Sequence, residues 1–414
     1  MQDLSLAVVF AATILGLYLR PFGARDWQIA AIGAAAAWLV GPLGLRADLD
    51  AVADSANIVA FFLGLMLIAA GADAAGLYAR TAALLRGRHS TQAKVVTVLL
   101  SGTLVTAVLS NDATPLVLTP AIFAAGAAGS PGTRRTALAA TFTADGASLL
   151  LPVSNPVNLL FFERFEMGFD TYLSTITPAA AAGIAVMSAV VWWQSRRLTP
   201  DAAPETRPVS IAAPDSRPAV VVVGALAVAY VVAGLAGTPL GAVTLAGGAA
   251  MLVAARLGGS VDPGRVRRHI APGVLLFVAA LLLLVESVSA AGLLDPLADA
   301  LTGLDERPAL VTIVGAATIA AVLSNLMNNW PAALLIAATI GSSAGPHEEL
   351  VAGALIGSAI GANFTMLGSL STVFWLNLAR QSGASFGAGE YARAAFLPTA
   401  GGILAACLVA AALV

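Results

Sequence analysis

Long apolar runs broken by short polar clusters dominate the chain. A helix needs roughly 20 mostly apolar residues to span a bilayer. On that rule, spanning helices are predicted near 4–19, 27–45, 57–79, 137–162, 171–194, 218–235, 239–257, 271–293, 351–376 and 395–414. Two more apolar stretches, 95–128 and 309–345, are too long for one crossing, and each has a polar centre. The first centre is Ser110-Asn111-Asp112, and the second is Ser324-Asn325 followed by Asn328-Asn329. Either stretch could be two helices joined by a loop, but the polar centres predict re-entrant hairpins with their tips inside the membrane. Two of the spanning runs are interrupted as well. Pro152 and Pro156 in 137–162 each remove a backbone donor, so that helix should break, with Ser154 or Asn155 capping a new half-helix. In 351–376, glycines allow unwinding around Asn363, whose side chain, with Thr365 and Ser369, can satisfy the freed backbone.

The chain divides near its middle. Four prolines and mixed charges over 195–217 read as a solvated cytoplasmic linker. Residues 1–194 and 218–414 flank it and look alike. Leu109-Ser110-Asn111 recurs as Leu323-Ser324-Asn325, and Ala74-Ala75-Gly76-Leu77 as Ala290-Ala291-Gly292-Leu293. Starting outside, and with both hairpins entering and leaving on one side, the cytoplasmic loops collect all the basic residues except Arg46, Arg164 and Arg307, 18 of 21. Replacing either hairpin by two crossings leaves that count unchanged. Hairpins are favoured because both flanks of 95–128 are basic while those of 309–345 are acidic or neutral. Both termini then lie on the outer side, and the halves form inverted repeats, the arrangement of secondary transporters with interrupted helices at midplane.

Composition supports this reading and closes other routes. Hydrophobic residues make up 58% of the 414 and charged ones 11%, so the fold class is an all-α polytopic membrane protein. One cysteine, Cys407, rules out a disulfide framework and any thiolate-rich metal site. His89, His269 and His347 have no metal-ligand spacing, and Lys94, the single lysine, sits in no phosphate-binding loop. A net charge of −2 gives no reason to expect a nucleic-acid partner, and no cofactor is expected. The first apolar run lacks a basic leader and should be kept as a membrane helix. An intramembrane hydrolase would need a nucleophile–base pair at depth, and none is visible.

The membrane segments carry four acidic residues, Asp73, Asp112, Asp145 and Glu286, each costing about 3 kcal/mol or more at the bilayer centre. Asp112 at a hairpin tip and Asp145 before the first break are the better placed for ion coupling; Asp73 and Glu286 lie toward helix ends. Arg256, at the very end of 239–257, is the one Lys or Arg within a predicted membrane segment, which suits a small neutral hydroxylated solute or a cation.

Three stretches resemble the arsenite/antimonite efflux permeases of the ion transporter superfamily: Ser110 to Pro120, Ser324 to Pro331, and Leu367-Gly368-Ser369-Leu370-Ser371-Thr372-Val373-Phe374-Trp375-Leu376. The resemblance implies export of trivalent arsenic and antimony hydroxides from the cytoplasm across the inner membrane, driven by proton entry. Sodium/proton antiport and carboxylate transport are the alternatives within the same superfamily, and silicic acid is a chemically similar solute. It also implies a substrate site of Ser110, Asn111, Ser154, Asn155, Ser324, Asn325, Asn328, Asn363, Thr365 and Ser369, with Asp112 and Asp145 carrying protons. Some members of the family work with a separate soluble ATPase, and homo-oligomers are open. Relative to the first tip, the second is two residues longer between Ser-Asn and proline, and Asn328 falls where proline anchoring puts Asp112.

Overall fold

A computed structural model describes residues 2–42, 56–88, 90–196, 215–259, 264, 266, 267, 270, 272–341 and 347–414. Most of the expected linker 195–217 lies outside the described residues, as do His89, His269 and Arg46. Among the described residues the protein is entirely helical, and it folds as an all-α polytopic membrane protein.

Among the described residues, nine helices precede the linker and nine come after it, in matching order. The first set is α1 (Gln2–Leu19), α2 (Asp26–Val40), α3 (Ala56–Ala74), α4 (Leu77–Arg86), α5 (Thr91–Leu109), α6 (Ala113–Ala124), α7 (Pro131–Gly146), α8 (Pro156–Arg164) and α9 (Phe169–Ser195). The second is α10 (Arg217–Leu235), α11 (Leu240–Leu257), α12 (Pro272–Ala290), α13 (Asp295–Asp305), α14 (Ala309–Met327), α15 (Asn329–Gly341), α16 (Glu348–Ala359), α17 (Leu370–Gln381) and α18 (Ala388–Leu413). Eight of these, α3, α5, α9, α10, α11, α12, α14 and α18, are long and apolar enough to cross a membrane. Helices α1 and α2, expected to span, are apolar over the shorter stretches Asp3–Leu19 and Asp26–Val40, and the expected 27–45 run continues beyond Val40 into undescribed residues.

Two short helices, α4 and α13, depart from the expected spans. The run 57–79 does not continue as one helix. Gly76 takes φ +75° after α3 and Gly292 takes φ +71° after α12, a left-handed turn that glycine adopts without steric penalty, and a new helix starts after each. Helix α13 is amphipathic, with Leu297, Leu301 and Leu304 at helical spacing and Leu301 buried.

Both expected breaks are present. Pro152–Ser154 form a 3-10 turn between α7 and α8, and Gly361–Phe364 form one between α16 and α17. The α5–α6 pair closes at its base, where Lys94 Nζ donates to the Ala125 carbonyl at 3.3 Å. Around the α14–α15 pair, His347 Nδ1 lies 2.7 Å from Asp305 Oδ2 and joins the segment before α14 to the one before α16.

Packing interlocks the two halves. Helix α3 packs along α11 and α2 along α12, while α9 packs along α18. Each first hairpin arm lies on the first half of its own broken helix, α5 on α7 and α14 on α16. The second arms cross over, α6 packing on α17 and α15 on α8.

Candidate functional site

The first tip begins where α5 ends. Ser110 takes φ +128° with ψ 163°, a backbone region almost confined to glycine, so the surrounding contacts must hold it there. Its hydroxyl accepts from the Ala113 amide at 3.3 Å. The Asn111 amide donates to the Ser154 carbonyl at 2.9 Å, joining the tip to the first break. Asn155 caps α8, its side-chain oxygen accepting from the Val157 amide at 3.0 Å, and Ser154 Oγ donates to the Ala107 carbonyl at 3.1 Å. Asn158, one turn later, donates to the Ser148 carbonyl at 2.5 Å and the Leu151 carbonyl at 3.1 Å. The Ser148 carbonyl, left bare because Pro152 has no N–H, thus finds a side-chain donor.

The second tip is built on the same plan with different residues. Asn328 takes φ +79° with ψ 152°, the backbone counterpart of Ser110, and the Asn329 amide donates to the Gly368 carbonyl at 2.8 Å. Backbone geometry therefore pairs Asn328 with Ser110 and Asn329 with Asn111. Proline anchoring and the Ser-Asn repeat each give a different pairing, because Ser324 and Asn325 still lie inside α14, which runs on to Met327. Asn325 spans from the hairpin to the second break. It donates to the Gly361 carbonyl at 2.8 Å and accepts from the Thr365 amide at 2.8 Å. Asn328 donates to the Leu367 carbonyl at 3.2 Å.

Asp145 ties the two assemblies together. Its carboxylate accepts from Ser369 Oγ at 2.7 Å, Thr372 Oγ1 at 3.0 Å and Asn111 Nδ2 at 3.4 Å. Ser371 Oγ adds a bond to the Asn111 carbonyl at 2.9 Å. Ser369 also caps α17, so the start of α17 touches the first tip and α7 together. The run Ser369-Leu370-Ser371-Thr372 places three hydroxyls on one helix start, and only the first of them is expected from sequence. Thr372, Ser371, Asn158 and Asn329 are the site residues that sequence reasoning misses. Asn329 stands beside Asn328, and Asn158 lies one turn after Asn155, so both fall within the same polar motifs.

Asp112 has different surroundings. It makes no capping bond to α6 and, with Ser110, lines a cavity of about 570 Å3. Leu370 and Phe374 of α17 form part of its wall, Phe62 and Met66 of α3 face them, and Arg25, Asp26, Ile270 and Pro272 also line it, the last two following Arg265, Arg267 and Arg268 in sequence. Ser324, Asn325, Asn328 and Thr365 are not among the residues lining this cavity.

Several buried polar atoms at the tips and breaks have no hydrogen-bond partner among the described residues: Asn111 Oδ1, Asn363 Oδ1, Ser324 Oγ and Thr365 Oγ1. The two amide oxygens are fixed in place, since Asn111 Nδ2 faces Asp145 and Asn363 Nδ2 donates to the Phe142 carbonyl at 3.3 Å. A buried acceptor left without a donor is uncommon and calls for a partner. No group of three or more His, Cys, Asp or Glu among the described residues could hold a metal ion.

The profile of the CitMHS family, described as citrate transporter, matches residues 8–361. The chain is 28% identical over 405 residues to an arsenical pump membrane protein of Escherichia coli, with 94% of each chain covered. It is 30% identical to the arsenical pump membrane protein of Yersinia enterocolitica over the same shares. Among solved structures it resembles the Alcanivorax borkumensis YdaH transporter, with a TM-score of 0.58 and 18% identity over 97% of this chain and 98% of that one, a likeness of fold.

Proposed function

Because this chain belongs to the CitMHS transporter family and aligns along nearly its whole length with arsenical pump membrane proteins, we propose that it exports trivalent arsenic and antimony hydroxides from the cytoplasm in exchange for protons. The observation that carries this reading is the acceptor-rich character of the tips and breaks. The unpartnered Asn111 side-chain oxygen sits on the amide that bonds Asp145, the unpartnered Asn363 oxygen on the amide that bonds the Phe142 carbonyl of the same helix, and Asp112 lines the cavity. Trivalent arsenic in water is a neutral trihydroxide with three O–H donors, so it can supply the donors these oxygens lack. A citrate-like polyanion offers three carboxylates against a single hydroxyl donor, and no lysine or arginine stands among the tip and break residues to receive its charge.

In this reading α5–α6 and α14–α15 are re-entrant hairpins of two inverted repeats, residues 1–194 and 218–414. Closure of each hairpin at its base and the matching order of nine helices support that. A second arm of 12 residues reaches about 18 Å, enough to bring a tip to mid-membrane from one face. The cavity runs from Asp112 toward loops rich in basic residues, which the positive-inside rule assigns to the cytoplasm. The structure is then the cytoplasm-facing state, with both termini outside the inner membrane. Asp112 gives up its proton through this cavity before substrate enters, and takes one from the outer side after release. Substrate and proton use the site alternately, and the proton gradient drives the cycle without a soluble ATPase.

Everted vesicles carrying the chain test this directly. With an inward-acid pH gradient and no ATP, they should accumulate arsenite and antimonite but not citrate. Asp112→Asn keeps the shape of the side chain but cannot titrate, so uphill accumulation should disappear while downhill exchange of arsenite persists. Accumulation by Asp112→Asn vesicles at the wild-type rate would refute the coupling role, and citrate accumulation would refute the substrate.

A further inference from the structure

A second cavity, of about 520 Å3, lies away from the tips, where α7 and α18 begin and α9 ends. We propose that it binds a phosphate oxyanion, supplied by the headgroup of an anionic phospholipid. Arg134, Arg135 and Arg393 line it, against a single acid, Glu390.

That acid is already occupied. Arg134 grips both Glu390 carboxylate oxygens, at 2.8 and 2.6 Å, donates to the Ser385 carbonyl at 2.9 Å, and stacks its guanidinium over Phe386 at 4.3 Å. Arg135 donates to the neutral Gln194 Oε1 at 2.7 Å, and Arg393 is exposed at the rim. Among the described residues, neither of these two guanidiniums has an ion pair, yet both face one cavity. Like charges held together favour an anion between them, and the planar fork of arginine matches the oxygens of a phosphate.

The setting supplies the source of that phosphate. This is the end of the bundle that the positive-inside rule assigns to the cytoplasm, where basic pockets between membrane helices take lipid headgroups. Trp193, which lines the cavity, is 48% exposed, and its neighbour Trp192 is 40% exposed with Arg196 at 5.0 Å from its ring. Such rings settle at headgroup depth, with the apolar part toward the acyl chains. A headgroup here would brace the start of α7, the helix that carries Asp145, against α18.

Trp193 also provides the readout. In nanodiscs of phosphatidylcholine, full-length protein should be quenched more by added brominated phosphatidylglycerol than by the same fraction of brominated phosphatidylcholine, and Trp193→Phe should remove the excess. Arg135→Gln combined with Arg393→Gln should raise the lipid fraction needed by about thirtyfold, and Arg393→Lys, which keeps the charge, should retain most of the effect. Excess inorganic phosphate separates the sources. If it displaces the quencher from Trp193 at low concentration, a free oxyanion is the occupant and the lipid assignment falls; if quenching persists, the headgroup is. Equal quenching by the two lipids in the wild-type protein, with no response to inorganic phosphate, overturns the site altogether, whether or not the double variant folds.

Discussion

Asp112 and Asp145 stand near the same tip, and their surroundings separate what each can do. Asp145 is 1% exposed and receives three side-chain donors, two from the start of α17 and one from the first tip. Removing it would leave Ser369, Thr372 and Asn111 without their acceptor, and a hydrogen bond to a charged group contributes about 1.5–3 kcal/mol. Asp112 lines the cavity instead and makes no cap. Sequence alone leads one to expect that both carry protons; from these surroundings we propose that Asp145 holds α7, α17 and the tip in register and that Asp112 meets solvent and solute. A double-mutant cycle separates the two roles. Asp145→Asn and Ser369→Ala should be strongly non-additive in thermal unfolding, with a coupling of about 1–3 kcal/mol, whereas Asp112→Asn and Ser369→Ala should be additive. Additivity of the first pair would mean that the Ser369–Asp145 bond contributes little to stability. Sequence could mark Asp145 as costly at depth, but not its partners. Thr372 lies 227 positions away, and a period within one helix carries no information on which distant helix start will face it.

Helix pairing at close range makes these breaks possible. Helix α14 lies against α16, and a Cβ on Gly357 would collide with the Ala317 carbonyl and come within 2.7 Å of the Ala320 methyl. Gly357→Ala should therefore push α16 off the hairpin and destabilise the protein by about 1–3 kcal/mol, seen as a lower unfolding temperature and reduced arsenite accumulation. Gly303→Ala on α13, where nothing lies within 4 Å, is the control and should behave as wild type. Elements of this kind were unequally legible in the sequence. The two hairpins announce themselves through polar centres in apolar runs, and the breaks through Pro152, Pro156 and the Gly361–Ser369 cluster, because each is a local conflict with a continuous helix. Helices α4 and α13 leave no such mark. Leu77 continues the apolar run of α3 in composition, and only the left-handed turn at Gly76 ends it. The pairing of Asn328 with Ser110 was hidden for a related reason: α14 stays helical through Ser324 and Asn325, so the similar letters sit at different heights.

At the scale of the molecule, the second arms are exchanged between the halves, which limits how the cavity proposed to alternate could open and close. Since α6 packs on α17 and α15 on α8, the tips and the second halves of both broken helices form one interlocked unit. Helices α2, α3, α11 and α12 pack with one another as a second group, which meets the first where α12 lies on α15 and α3 on α8. The cavity at Asp112 lies between the groups, with Leu116 of α6 and Phe374 of α17 on one wall and Phe62 and Met66 of α3 on the other. A displacement of one group past the other would therefore seal this opening without breaking the Asp145 cluster, which ties α7 to the first unit through α17 and the first tip. Cysteine accessibility can track that motion, because Cys407, the one native thiol, is fully buried and can be replaced by alanine. In Cys407→Ala protein, Leu116→Cys and Phe374→Cys should react with a membrane-impermeant maleimide in everted vesicles, where the cytoplasmic face is outside, and not in right-side-out vesicles. Imposing the driving pH gradient in the presence of arsenite should slow both reactions together, since the two residues ride on one unit, while Arg88→Cys at the cytoplasmic surface should be unaffected. Reaction of 116 and 374 from the outer face alone would reverse the assigned orientation. If one of the pair is protected while the other is not, α6 and α17 do not move as a body, and the interlocked unit is the wrong description of the moving part.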